Sequence, residues 1–122
     1  MMVDAFEATD DGGATTALCV GRDCYFVVGG GELAESGIIE HQAQSVSALA
    51  GWKAAESGAT SAPVGIIGEV KHFACLRRPR VGERMVTTVQ MGMTFGNVTL
   101  AKCETAIDGE TVARINLKVF MQ

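Results

Sequence analysis

Glu40 and Gln44 are the two side chains of this sequence whose types and spacing best suit acid–base chemistry. At four residues apart on a helix they share a face, so the amide of Gln44 can orient the carboxylate of Glu40 or a substrate carbonyl. Among apolar and small neighbours, such a carboxylate can act as a general acid, or as a base or nucleophile toward a carbonyl. The structural alternative is a buried Glu40 that is paired with an arginine or capped by Gln44, with Gln44 as a satisfied polar core residue.

The two histidines are the candidate bases. His41 follows Glu40 about 100° round the helix, so the two side chains cannot share a face. It is interpreted as an interface or semi-buried residue, with substrate binding as its candidate role. His72 alternates with Val70 and Ala74 along a predicted strand and is expected to point toward the helix or across a subunit interface. It is therefore the candidate catalytic histidine.

Basic residues cluster in one stretch of an otherwise acidic chain. Five of the ten Lys and Arg residues fall within 14 positions, and they are Lys71, Arg77, Arg78, Arg80 and Arg84. A positive patch in a protein of net charge −4 favours a phosphate-bearing partner, so the first four are candidate substrate-binding residues. The alternative is a solvated loop whose arginines pair with Glu69 and Glu83.

One long helix must carry Glu40, and the sequence predicts it within residues 31–57. Ser36 and Gly37 suit its start, and apolar residues follow at helical spacing. Most other positions are Ala, Ser or Gly rather than charged residues. The helix is therefore predicted to be buried nearly all round, with a sheet closing tightly around its small residues.

The rest of the chain is predicted to form strands. Two precede the helix, at residues 2–8 and 15–28, and four follow it, at residues 64–76, 84–94, 97–107 and 111–121. Short turn segments such as Asp108-Gly109 separate the last four, which are expected to form an antiparallel meander. The helix must then cover one face of the sheet.

Length and composition exclude several classes of function. A chain of 122 residues is expected to form one domain, and its net charge of −4 argues against general nucleic-acid binding. No apolar run approaches the roughly 18 to 20 residues of a membrane span and no leader pattern opens the chain, so a cytoplasmic protein is expected. The four cysteines lack CxxC spacing and are interpreted as reduced packing residues. Neither a metal site nor an organic cofactor is predicted.

The order of elements, the Glu-x-x-x-Gln of the helix and the segment Leu-Arg-Arg-Pro-Arg-Val-Gly-Glu-Arg at 76–84 together resemble the hot-dog fold. More narrowly, they are similar to the 3-hydroxyacyl-(acyl carrier protein) dehydratases and related thioesterases. The resemblance implies an α+β hot-dog fold, with an antiparallel sheet of five or six strands wrapped around one long central helix. It also implies a homodimer or higher homo-oligomer that binds an acyl thioester of acyl carrier protein or coenzyme A.

The resemblance also assigns roles to residues. It implies that Glu40 protonates the departing 3-hydroxyl, that the backbone N–H of Gly37 polarises the thioester carbonyl, and that a histidine removes the C2 proton. In the family that histidine lies in a His-Phe-Pro-Gly segment before the helix. Here the corresponding stretch, residues 25–31, is Tyr-Phe-Val-Val-Gly-Gly-Gly and contains no histidine.

Three functions therefore remain open. The first is a 3-hydroxyacyl-thioester dehydratase of fatty-acid or related acyl-chain biosynthesis, and the second is a thioesterase that uses Glu40 without a histidine. The third is a non-catalytic subunit that binds acyl chains. A histidine close to Glu40 would favour dehydration, whereas an open Glu40 without one would favour hydrolysis.

Overall fold

The computed structural model describes residues 2–9, 11–56, 58 and 65–121, the side chains of residues 65–68 and 121 excepted. Eight strands and one helix follow in the order β1 (Ala5–Ala8), β2 (Ala14–Cys19), β3 (Val27–Val28), β4 (Glu32–Leu33), α1 (Glu35–Glu56), β5 (Gly65–Cys75), β6 (Arg84–Phe95), β7 (Val98–Ile107) and β8 (Glu110–Met121). Six of the strands form one sheet around α1, which confirms the predicted α+β hot-dog architecture.

The sheet has the order β1-β2-β6-β7-β8-β5, and every neighbouring pair is antiparallel. The meander prediction holds for β6, β7 and β8 but is wrong for β5, which pairs with β8 at the far edge. The connection at residues 76–83 does not make a hairpin, because it passes β8 and β7 to reach β6 beside β2. There it bonds to the end of β2, since Gly82 N–H donates to Val20 O at 2.8 Å and Val20 N–H donates to Glu83 O at 2.9 Å.

The helix α1 buries one face rather than its whole circumference. Its buried residues recur in pairs one turn apart, at Gly37, Ile38, His41, Gln42, Ser45, Val46, Leu49 and Ala50. The opposite face stays partly open, with Ser36 and Ser47 exposed. The expectation of burial nearly all round is therefore wrong for the isolated chain. The uncovered face is also the one that carries Glu40.

The core consists of two apolar clusters. The first gathers Met2, Leu18, Val20, Leu33, Ile38, Met85, Ile107, Val112 and Ala113 around the start of α1. The second gathers Ala14, Val46, Leu49, Val89, Ala101, Cys103, Ile115, Leu117 and Val119 around its later turns. On α1, β2, β6 and β7, a layer of fully buried polar residues separates them, comprising Thr16, His41, Gln42, Ser45, Thr87 and Thr105.

The free cysteines differ widely in exposure, and this difference predicts their reactivity. Cys19 is exposed, whereas Cys103 is buried and its pKa is raised to about 12 by desolvation. Because the thiolate is the reacting form, iodoacetamide is expected to alkylate Cys19 in the native protein and to leave Cys103 intact until unfolding. Peptide mass spectrometry of native and denatured samples measures both sites. Equal labelling of the two cysteines in the native state would contradict the packing described.

Within the part of the chain that the structure describes, no helix combines the length and apolar character needed to cross a bilayer.

Candidate active site

Glu40 lies on the open side of α1 and faces a cleft of about 510 Å³. The helix provides one wall through Glu40 and Gln44, and the segment before β1 provides another through Met2 and Asp4. The remaining lining residues come from the end of β2 and the loop after it, and they are Leu18, Cys19, Gly21, Arg22, Asp23, Cys24, Tyr25 and Phe26. The carboxylate is half-buried, so a ligand in the cleft can reach it.

Two hydrogen bonds hold the glutamine beside the carboxylate. Gln44 Nε2 donates to Glu40 Oε1 at 2.9 Å, and the backbone N–H of Met2 donates to Gln44 Oε1 at 2.7 Å. With its oxygen and its nitrogen both engaged, the Gln44 amide has a fixed orientation. The contact between Gln44 and Glu40 is common to the predicted orienting role and to the structural alternative in which Gln44 caps Glu40, whereas the arginine pair of that alternative is not found in the described ranges.

The cleft continues along the helix. A second cavity of about 700 Å³ shares Asp4 and Gln44 with the first and is lined further by Val3, Ala5, Phe6, Ser47 and Ala48. Phe6 of this cavity also packs on Trp52, with ring centroids 6.4 Å apart. Together the two cavities make a groove with Glu40 and Asp23 at one end, Asp4 where the cavities meet and mainly small or apolar walls at the other end, which suits a ligand with a reactive head and an apolar chain.

Gly37 does not offer the N–H that the sequence reasoning assigned to it. The helix begins two residues earlier, at Glu35, and Gly37 N–H donates to Ala34 O at 2.9 Å. Gly37 is buried, and a Cβ there would lie 2.5 Å from Phe26 Cβ. The glycine is needed for close packing of the cleft loop on the helix, and its amide is already used. The backbone N–H of Gly37 is therefore not available to polarise a thioester carbonyl, contrary to the prediction.

His41 is enclosed in the core and cannot touch a ligand in the cleft. Its exposure is 0%, its Nδ1 lies 2.6 Å from Met2 O, and its Nε2 lies 2.8 Å from Thr87 Oγ1. Desolvation lowers the pKa of the imidazole, although the bond to Met2 and the charge of Asp4 oppose the shift. The substrate-binding role expected for His41 is replaced by a structural one.

The burial of His41 predicts an acid-sensitive fold. Because its folded pKa lies below the ordinary 6.5, the unfolded state binds more protons between the two values. Stability from this group is present above pH 6.5 and is lost as the pH falls toward the folded pKa, by at most about 1.4 kcal/mol per pH unit. Urea unfolding across this pH range should show that the free energy of unfolding of wild type falls as the pH falls. The free energy of unfolding of His41→Asn should vary less with pH. A wild-type profile as flat as that of the variant would contradict the prediction.

His72 is not near the carboxylate within this chain. It lies at an irregularity of β5 where the register shifts between Lys71 and Ala74, and its backbone φ is 54°. This bulge breaks the alternation from which its direction was predicted. The side chain is exposed and lines a separate cavity of about 580 Å³ with residues such as Lys71, Lys102 and Asn116. The catalytic histidine predicted at position 72 is not brought to Glu40.

The predicted basic residues form ion pairs outside the cleft. Arg77 binds both carboxylate oxygens of Glu83, at 2.9 and 3.0 Å. The other pairs are Arg78 with Glu35 at 3.4 Å, Arg80 with Glu32 at 3.7 Å and Lys71 with Glu69 at 3.7 Å. All four cations are exposed, and none of them lines the Glu40 cleft. The alternative of a solvated, paired loop therefore describes this segment better than a free phosphate site.

Sequence reasoning missed several residues at the site. Arg22 is the cation that lines the cleft, and Tyr25 stands at its edge with 92% exposure and an edge-on contact to Phe26. The polar layer was missed as well, although it left a signal. Thr16, Thr87 and Thr105 alternate with the residues of their strands that face outward, so they occupy inward positions where apolar residues are expected.

Three of the described carboxylates line the cleft, those of Glu40, Asp4 and Asp23, and the cleft therefore suits acid–base or nucleophilic chemistry by a carboxylate. No histidine lines it in the ranges described, and no cluster of three or more His, Cys, Asp or Glu side chains there could hold a metal ion.

Comparison with known proteins identifies relatives of the whole chain. A family model described as ApeP-like, ApeP dehydratase, matches residues 1–122. The dehydratase heterocomplex ApeI:P from Xenorhabdus doucetiae superposes with a TM-score of 0.88 at 17% identity, over 100% of this chain and 83% of that one. No curated protein matches the chain significantly.

Two further structures share the fold. The Escherichia coli PaaI protein from the phenylacetic acid degradation operon gives a TM-score of 0.77 at 13% identity, over 98% of this chain and 79% of that one. A hypothetical thioesterase from Streptococcus pneumoniae TIGR4 with coenzyme A gives 0.75 at 10% identity, over 97% and 84%. At these identities the structural likeness establishes the fold alone.

Proposed function

The chain belongs to the ApeP-like dehydratase family, and from this premise we propose that it acts on 3-hydroxyacyl thioesters as a dehydratase subunit with Glu40 as general acid. The observation that carries the proposal is the oriented carboxylate in the cleft, held by Gln44 at 2.9 Å. A carboxyl group fixed at the head of an apolar groove is suited to proton transfer at one carbon of an acyl chain.

The proposed reaction uses one oxygen of Glu40. Gln44 engages Oε1, and Oε2 has no hydrogen-bond partner among the residues that are described. In its protonated form the carboxyl group gives its proton to the 3-hydroxyl, the C3–O bond breaks and water leaves. A base removes the C2 proton, and the electrons of that C–H bond form the C2=C3 double bond. Glu40 is left ionised and the base protonated; the base then releases the C2 proton to solvent and Glu40 takes one up before the next cycle.

The base is proposed to come from a second hot-dog subunit. No histidine lines the described part of the cleft, and the helix face around Glu40 is left open by the chain's own sheet. In the described sheet β5 is an edge strand with β8 as its one partner, which leaves an edge available for pairing. The heterocomplex named for the Xenorhabdus doucetiae structure supports a related chain as that subunit; a second copy of this chain, in a homodimer, is the alternative.

The proposed substrate is an acyl thioester of acyl carrier protein or coenzyme A, in fatty-acid or related acyl-chain biosynthesis. The groove beyond Gln44, with walls at Phe6 and Ala48, supports an apolar chain. Two proteins of the same fold, from Streptococcus pneumoniae and Streptococcus mutans, were solved with coenzyme A and with acetyl-CoA. Both support a ligand that carries the coenzyme A scaffold, and acyl carrier protein is the alternative carrier.

Thioester hydrolysis is the second candidate, and one observation favours it. The described cleft has three carboxylates, Glu40, Asp4 and Asp23, and no histidine, and a carboxylate that attacks the thioester carbonyl or activates water needs no second base.

The test separates these functions by product. The purified chain is assayed alone and mixed with a hot-dog dehydratase subunit that carries the histidine of the His-Phe-Pro-Gly segment. A 3-hydroxyacyl thioester and a saturated acyl thioester are the substrates, and enoyl absorbance and free thiol are followed separately. Enoyl formation that depends on this chain supports the proposal. Thiol release without enoyl product overturns the proposal in favour of hydrolysis. If neither enoyl product nor free thiol forms, the proposal is overturned in favour of a non-catalytic acyl-binding subunit.

A further inference from the structure

A chain of hydrogen bonds runs through the buried polar layer, and its direction follows from the chemistry of its members. Met2 O can only accept, so the proton of His41 must lie on Nδ1, 2.6 Å away. Nε2 of the neutral ring then accepts from the Thr87 hydroxyl at 2.8 Å. Thr87 in turn accepts from Thr105 at 2.6 Å, and Thr105 accepts from Gln42 Nε2 at 3.1 Å. Every donor therefore points toward Met2.

The same residue begins the contacts that reach the carboxylate. Met2 N–H donates to Gln44 Oε1, and Gln44 Nε2 donates to Glu40 Oε1. His41 thus binds the carbonyl oxygen of Met2, and the backbone N–H of Met2 binds Gln44. A single residue before β1 joins a buried imidazole to the carboxylate of the cleft.

We propose that His41 is a positioning residue for Glu40, acting through Met2 and Gln44. The neutral imidazole fixes the carbonyl of Met2, and this fixes the N–H that sets the orientation of the Gln44 amide. The amide then presents its nitrogen, rather than its oxygen, to the carboxylate. The inference rests on the role proposed for Glu40 and extends it to a residue that touches neither substrate nor cleft.

The identity of the side chain at position 41 supports this role. Met2 O needs a donor and Thr87 provides a hydroxyl, so the residue between them must donate at one end and accept at the other. A neutral imidazole does both within one rigid ring. Burial also favours the neutral form, since desolvation lowers the pKa of His41. Asp4 acts in the opposite sense, but it lies outside the hydrogen-bond chain.

The polar layer is costly as a purely structural device. His41, Gln42, Thr87 and Thr105 are all fully buried, and among the described residues Gln42 Oε1 is a buried oxygen without a hydrogen-bond partner. An apolar residue of similar volume at these positions would avoid the desolvation of the polar groups. The presence of the layer beside the cleft fits a requirement of the site for a fixed Met2.

The first arm of the test measures geometry without any activity. Long-range ¹H–¹⁵N spectra are expected to show His41 as the neutral tautomer with its proton on Nδ1. The side-chain amide protons of Gln44 should be shifted by the carboxylate in wild type and should lose that shift in His41→Leu. They should keep it in His41→Asn, whose amide can still donate to Met2 O. A proton on Nε2, or unchanged Gln44 signals in a folded His41→Leu variant, would overturn the proposal.

The second arm uses the active assembly. His41→Leu is expected to lower kcat by about tenfold to a hundredfold, the range typical of a displaced catalytic group, with little change in KM. His41→Asn should recover part of the loss, and His41→Leu should cost nothing further in a Glu40→Gln background. A rise in KM alone, or an equal loss in the Glu40→Gln background, would overturn positioning.

A milder variant covers the case in which His41→Leu does not fold. Thr87→Val removes the hydroxyl that Nε2 accepts from, and Thr87→Ser retains it. The loss in kcat is expected for valine and not for serine, and identical values for the two would count against the proposal. If wild type shows no activity on any thioester, the proposed function fails, while the Gln44 signals still decide whether His41 sets the geometry of Glu40.

Discussion

Gly37→Ala is expected to destabilise the protein by about 1–3 kcal/mol, the usual cost of overpacking, although alanine is the better helix former. A Cβ at this position would lie 2.5 Å from Phe26 Cβ and 2.8 Å from Leu33 Cδ1. Leu33 is fully buried in the first apolar cluster, so it has little room to move. Phe26 belongs to the loop that lines the cleft, and its displacement should alter the site as well as the fold.

Gly51→Ala provides the matched control on the same helix. Nothing lies within 4 Å of a Cβ built at Gly51, so alanine there should stabilise by about 0.4–1 kcal/mol through the lower entropy of the unfolded chain. Urea denaturation of both variants against wild type measures the difference. Opposite shifts of the two midpoints are expected. A stabilised Gly37→Ala variant would show that the loop does not pack on the helix as described.

The helix and most strands could be predicted because their signals are local. Apolar residues at helical spacing set α1 within one turn of its observed limits, Glu35–Glu56. The Asp108-Gly109 turn is another local signal, and the structure gives φ values of 50° and 81° at these residues. Positive φ at two adjacent residues is the requirement of a tight hairpin turn. Such a turn joins β7 and β8, as predicted.

Long-range packing explains the predictions that were wrong. Nothing in the sequence of β5 shows that it pairs with β8 instead of β6, since that depends on where the loop at residues 76–83 crosses. The bulge that turns His72 outward is set by this pairing. The N–H of Gly37 could be assigned to a substrate carbonyl only while the position of Phe26 was unknown.

Only part of the candidate site could be predicted from the sequence, because only some of its contacts are local. Glu40 and Gln44 lie on one helix four residues apart, and their contact is a local property of that spacing. The other walls come from Met2 and from the loop that carries Arg22, which are distant in sequence and meet the helix only in the fold. To predict the polar layer, one must know the register of three strands against the helix, and no single segment of the sequence shows this register.

Glu40→Gln is expected to reduce enoyl formation by about a hundredfold to ten-thousandfold, the contribution typical of general acid–base catalysis. Glutamine has the shape of glutamate and can still accept the bond from Gln44 through its carbonyl oxygen, but it cannot deliver a carboxylic proton. Stability should change little because the side chain is half-buried and forms no ion pair within the described residues. Enoyl absorbance, with urea unfolding in parallel, measures the two effects separately.

Glu35→Gln is the control for this variant, because it removes the same charge from the same helix outside the cleft. Glu35 is exposed and pairs with Arg78 at 3.4 Å, so its loss should leave kcat within about twofold, as expected for a surface pair that contributes little. If Glu40→Gln and Glu35→Gln reduced activity equally, the effect would be one of helix charge and not of proton transfer. A full rate in Glu40→Gln would instead assign the acid to another group of the assembly, with Glu40 only lining its cleft.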